Sequence, residues 1–223
     1  MNDVLVFSSC TARKNDSVSV GDVRIQPSDY LGEGALLREL LKVRNEILSR
    51  PDAKRGNRET YAFDLYVRTG KMYKKLYEDY YRKMKQVLLD PGTPVQWFFL
   101  SGAYGIIHAL EPALSYQATF SRSIASQNHI PFTGKLWQRA LPEICGHVIG
   151  RYPGCKVYVF GSRDYTEFLK HSRLPSETKI IESTGNVGST RLSPVIAAFA
   201  SALLSHDLPA FDKEYPERFT KLP

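Results

Sequence analysis

The chain has 223 residues, 43% of them hydrophobic and 24% charged, enough apolar material for one well-buried core and so for a single domain over residues 1–223. No run of 18 apolar residues occurs, and the start MNDVLVFSSC carries an acid and only a short apolar patch, so no membrane span or secretory leader is expected and a cytoplasmic protein is. The formal net charge of +7 is unevenly placed: residues 42–85 hold 13 Lys or Arg against 6 Asp or Glu, while the rest of the chain balances at 17 of each.

In chain order, VLVF (4–7) reads as a buried strand closed by the polar SSCT, and VSVGDVRI (18–25) as a small hairpin turning at Gly21-Asp22. GALLRELLKVRNEIL (34–48) has helical spacing and is broken by the polar stretch 49–60. A second helix is predicted over 70–89, with Tyr73, Tyr77, Tyr80, Met84 and Val87 as its apolar stripe. PVQWFFLS (94–101) and KVYVFGS (156–162) read as inner strands of a parallel sheet, because each is apolar on both faces and ends in a small-residue turn. Between them, 134–152 predicts a crossover helix interrupted near Pro142. A short helix (163–171), a strand (178–183) and a helix capped by Ser193 with Pro194 at its first position (193–205) follow, then a polar tail from His206 laid over the body. Strands alternating with helices predict an α/β fold with a mostly parallel central sheet flanked by helices; ligands of such sheets bind at the carboxyl ends of strands.

Three loops follow apolar strands, and their polar groups can converge: FSSCTARKN (7–15), LSGAYGIIHALEP (100–112) and FGSRDY (160–165). Ser9, Cys10, Thr11 and Lys14 offer hydroxyls, a thiol and an ammonium to a phosphate, although the Gly-Lys-Ser/Thr ending of a Walker loop is missing. Tyr104, just past the Ser101-Gly102 turn, is placed to wall a pocket against a flipped base. His108 and Glu111 are three apart and share a face if the segment makes a helical turn; Asp164 is a competing carboxylate, beside Ser162 and Arg163. Asp64 either caps the helix that follows it or reaches into the pocket. The three cysteines Cys10, Cys145 and Cys155 match neither a disulfide framework nor a zinc cluster, and no metal or cofactor is expected. STGNVGSTR (183–191) is either an anion nest ending at Arg191 or a plain loop.

Four segments in order, Ser9-Cys10 with Lys14, Asp64-Leu65-Tyr66, Leu100-Ser101 with Tyr104-Gly105 and Tyr116 downstream, and Gly161 with Tyr165, resemble the motifs of the YaaA-like superfamily of peroxide-stress DNA-binding proteins and their relatives. The likeness spans roughly residues 4 to 170 and departs from the peroxide-stress members at Ser-Cys-Thr-Ala and at Arg-Asp before Tyr165. It implies a core comparable with uracil-DNA glycosylases and an inserted helical, basic DNA-binding element. The insertion corresponds to residues 34–90, with Arg55, Arg58, Arg68, Lys71, Lys74, Lys75 and Arg82 among its cations.

The expected function is that of a DNA-binding enzyme, a glycosylase that hydrolyses the base–sugar bond of an extruded modified or damaged base in repair or antiviral defence. Asp64, Glu111, Asp164 and His108 are its candidate acids and bases. The alternatives are a DNA-binding stress protein without catalysis and a nucleoside or nucleotide hydrolase.

Overall fold

The computed structural model describes residues 3–183 and 188–222, with the backbone alone at 188 and 189. A six-stranded sheet forms its centre, in the order β4 (Gly105–His108), β3 (Val95–Ser101), β1 (Val4–Ser9), β6 (Lys156–Ser162), β7 (Lys179–Ser183) and β8 (Phe219–Leu222). Every neighbouring pair is parallel except β3 with β4, which form a hairpin in which Ser101 faces Gly105. A second, two-stranded sheet pairs β2 (Glu59–Tyr61) with β5 (Pro112–Leu114).

Helices cover both faces. Side chains of a strand alternate between faces, and β3 shows which layer each face meets. Trp97 and Phe99 point to the layer that holds α4 (Lys74–Leu89) and α9 (Gly188–Leu204): the Phe199 ring meets Trp97, and Tyr73, just before α4, meets Phe99. Phe98 points the other way, onto Tyr30 of α1 (Pro27–Leu31), in the layer with α2 (Ala35–Leu48) and α7 (Ala140–Gly150). The expected α/β fold with a mostly parallel sheet is therefore what the chain adopts. Among the described residues no helix is long and apolar enough to cross a membrane.

Residues 34–90 do not stand apart as a lobe. The apolar stripe of α2 packs on α7 and that of α4 packs on α9 and β3, so the two helices are built into opposite layers and only their outer faces carry free charge. In α4 the buried residues are Leu76, Met84 and Leu88; of the predicted stripe, Tyr73 and Met84 are buried, Tyr80 and Val87 pack partly buried against the core, and Tyr77 is exposed. Tyr77 is exposed because its ring leans on Tyr81 at 5.1 Å, and the Tyr81 hydroxyl turns inward to Asp64.

Other expectations are corrected locally. Residues 18–25 form no hairpin; this stretch is held as irregular chain, with Val23 O accepting from the Tyr61 hydroxyl at 2.6 Å. The crossover breaks not at Pro142 but at Gln138 and Arg139, between α6 (Gly134–Trp137) and α7; Pro142 sits in the first turn of α7, where a missing N–H costs nothing. Ser193 does not cap its own helix, because α9 already begins at Gly188 and Pro194 lies inside it. Its Oγ accepts instead from the backbone N–H of Lys75 at 2.9 Å and so caps α4. The tail forms α10 (Leu208–Glu214) and β8, an added edge strand rather than an arm.

Candidate functional site

From β1 the chain crosses to β3 on one side, and from β6 it crosses to β7 on the other, so the loops after β1 and β6 diverge and leave a crevice at their carboxyl ends. The three loops singled out in the sequence meet there. Cys10 Sγ lies 3.6 Å from the Tyr165 hydroxyl at the start of α8 (Arg163–Lys170), and that hydroxyl lies 3.2 Å from Thr119 Oγ1. Ser101 Oγ, at the end of β3, is 2.6 Å from the Tyr116 hydroxyl and 3.3 Å from that of Tyr66, on α3 (Ala62–Val67). The Lys14 ammonium stands 4.0 Å from the centre of the Tyr116 ring and donates to Thr11 O at 3.0 Å.

Small residues allow this crowding. A Cβ on Gly102 would come within 2.4 Å of Ala118 O, and one on Gly70 within 2.3 Å of the Thr11 side chain, so both positions need the bare backbone. A Cβ on Gly161 would meet Ser9 Oγ at 2.2 Å. That hydroxyl is buried and has no hydrogen-bond partner among the described residues. Burial holds the Lys14 amine down to about 8, an effect partly opposed by the nearby Cys10 sulfur; the residue as a whole is half-buried. Burial also pushes the phenols of Tyr66, Tyr116 and Tyr165 well above their ordinary range, so all three are neutral hydroxyls at physiological pH.

Outward from Tyr116 and Lys14 opens a cleft of about 580 Å³, whose other walls include Arg13, Lys54, Thr69 and Gln117. Three of its lining residues are cations and none is a carboxylate. Arg55 follows Lys54 and is exposed. Lys71, Lys74 and Lys75 are exposed around the start of α4, beside the Gly70–Thr11 contact, and Arg191 is exposed near the residue that caps α4. Arg58 and Arg68 hold Ser19 and Ser17 of the loop after Lys14, and Arg82 lies farther along α4. Residues 184–187 of the expected anion nest fall outside the described residues.

Three of the four candidate acids and bases are engaged elsewhere. Asp64 is fully buried, with Oδ1 accepting from Tyr81 and Oδ2 paired with Lys85 at 2.7 Å; it caps no helix. Glu111 is buried against Arg44, and its Oε2 accepts from the Tyr30 hydroxyl at 2.9 Å. The same guanidinium donates to Tyr104 O at 2.9 Å and to Ile106 O, so this ion pair braces the turn between β3 and β4 from beneath. His108 ends β4 rather than starting a helical turn: Nδ1 accepts from Leu110 N at 3.1 Å, which leaves Nε2 to donate to Gln96 Oε1 at 3.2 Å. For Asp64 and Glu111 the pairing partners lie 21 and 67 residues away, beyond what sequence spacing can connect, whereas His108 is held by neighbours in its own hairpin. Asp164 and Arg163 remain exposed on the first turn of α8, Arg163 loosely paired with Glu167 at 3.9 Å, and Ser162 precedes them as the N-cap residue.

Tyr104 is not an open wall either. Its hydroxyl accepts from Leu114 N at 2.8 Å and donates to Leu114 O at 3.2 Å, and its ring meets Tyr116 edge-on at 5.5 Å. Tyr104 therefore clamps the segment that carries Tyr116, and Tyr116 is the aromatic residue that lines the cleft. Thr119, Arg13, Lys54 and Thr69 were missed as site residues; the sequence signals were Arg13's place in the first strand-end loop and Lys54's in the basic stretch 42–85.

Burial holds the His108 imidazole down to about 3, so it stays neutral in the folded chain while an unfolded His takes a proton near 6.5. Between those values the unfolded state binds the extra proton, and stability is expected to fall as pH drops, by about 1.4 kcal/mol per unit. His108→Gln should flatten this limb in urea titrations at pH 6.5, 5.5 and 4.5; an unchanged slope would contradict the assignment.

Among the described residues no group of three or more His, Cys, Asp or Glu side chains is placed to hold a metal ion. Comparison with known proteins gives no matching family model and no matching curated sequence.

Proposed function

We propose that the protein binds DNA across the cationic cleft and draws one nucleotide toward the crevice at the strand ends, where the base–sugar bond of a modified or damaged base is hydrolysed. The observation that carries this reading is a cleft lined by cations and by no carboxylate, with Lys14 and Tyr116 in its wall and the contact of Cys10 with Tyr165 buried beside them. Arg13, Lys14 and Lys54 suit successive phosphates. Neutral hydroxyls, each a donor and an acceptor, suit the polar edge of an extruded base, and the Tyr116 ring offers it an apolar side.

A glycosylase leaves an abasic sugar. Heavily base-modified phage DNA incubated with the protein should release free bases, seen by liquid chromatography, and should break on alkali treatment. Binding without base release is the second reading, favoured by the engagement of Asp64 and Glu111 in buried ion pairs. Under it, DNA shifts on a gel while no base appears from either phage or ordinary genomic DNA. A preference for free nucleotides over polymer would argue against both readings.

A further inference from the structure

Hydrolysis at a sugar carbon needs an anion close by, either to activate water or to bond the carbon directly. Asp64 and Glu111 are tied into other pairs, and Asp164 stands exposed on α8. Beside Lys14 and Tyr116 of the cleft wall, the group that can carry negative charge is the Cys10 thiol, buried just outside the cleft lining. Its neighbours are three: the Tyr165 hydroxyl at 3.6 Å, the Tyr116 hydroxyl, which also reaches the sulfur, and the Lys14 ammonium. The thiol donates to the Tyr165 hydroxyl, and the cation beside it can pair with the sulfur once that proton has left. A separate feature marks the crevice as a place for a ligand: Ser9 Oγ, one residue before Cys10, is 3% exposed yet unpaired, against Gly161 of the same turn that presents Tyr165. A buried hydroxyl left without a partner costs about 1–3 kcal/mol, which a bound polar group would remove.

Resting on the base-release reading, we propose that Cys10 is the nucleophile of this site and that Lys14 is its ion-pair partner and proton donor. The lone pair of the thiolate forms a bond to C1′ of the extruded nucleotide as the C1′–N bond breaks. The electrons of that bond stay on the base nitrogen, which takes a proton from the Lys14 ammonium. Conversion of the thiolate to a thioether removes the negative charge that held this proton, so Lys14 becomes a stronger acid at the moment the base departs. Water then attacks C1′, the thiolate leaves, and the proton from water returns to the Lys14 amine. The products are a free base, an abasic sugar and the original ion pair.

Three measurements test this with the full chain. Base release from modified phage DNA should fall at least about 100-fold in Cys10→Ala, and in Cys10→Ser, while gel-shift binding persists. Acid-quenched wild-type reactions should show a sugar adduct on the peptide that contains Cys10. Without any DNA, iodoacetamide should alkylate Cys10, and Lys14→Met should slow that reaction. Wild-type rates of base release in Cys10→Ala would overturn the nucleophile and leave the glycosylase reading standing. So would a Cys10 that iodoacetamide leaves unmodified in the wild-type chain, a result that needs no variant to fold. Absence of base release from the wild-type protein would sink the glycosylase reading, and the nucleophile with it.

Discussion

Replacing Arg44 with methionine is expected to lower the free energy of unfolding by about 3–5 kcal/mol, read as a lower urea midpoint with an unchanged slope. Methionine fills much of the same volume, so the loss comes from charge and hydrogen bonds rather than from a void. Glu111 would remain buried without its cation, and the carbonyls of Tyr104 and Ile106 would lose their shared donor. Adding Glu111→Gln to that variant should recover part of the loss, because a neutral amide can accept from the Tyr30 hydroxyl without carrying an unpaired charge. A drop of less than about 1 kcal/mol in the single variant would mean that water reaches the pair and that it does not brace the turn.

Neutralising Arg13 and Lys54 together, as glutamines, is expected to weaken DNA binding roughly 10–100-fold at 0.1 M salt, since each phosphate contact contributes about 0.9 logarithmic units there. The slope of log affinity against log salt should become shallower by about two. Both residues line the cleft and Arg13 is exposed, so the change should leave thermal stability nearly untouched. The same double change at Arg82 and Lys83, well along the outer face of α4, serves as the comparison. If that pair moves the slope and the cleft pair does not, DNA lies along the helix and the cleft assignment fails.

The strands and their loops could be read from the sequence because the reason for them is local. An apolar run that ends in small polar residues is a buried strand meeting a turn, and β1, β3 and β6 obey that rule within a few residues of each other's pattern. The gathering of Lys14 and Tyr165 follows from parallel order, since parallel neighbours put their carboxyl ends on one side; Tyr116, beyond the antiparallel β4 and β5, is tied in by Ser101 at the end of β3. What could not be read was the fate of each ionisable side chain. Whether Glu111 is a free carboxylate or half of an ion pair depends on Arg44, and Asp64 depends on Lys85 and Tyr81; no spacing rule connects these pairs. Ser193 is the same lesson at a helix end. The Ser-Pro pair reads locally as a start, but the N–H that the serine satisfies belongs to a helix more than a hundred residues earlier.

The place of β1 in the middle of the sheet has a consequence for how the chain is made. One edge of that strand pairs with residues around 95, the other with residues around 156. A nascent polypeptide growing from its amino end would therefore hold an apolar ribbon with one side unzipped until residues 156–160 have been made. Such a delay favours slow maturation and leaves an open strand edge exposed to aggregation in the meantime.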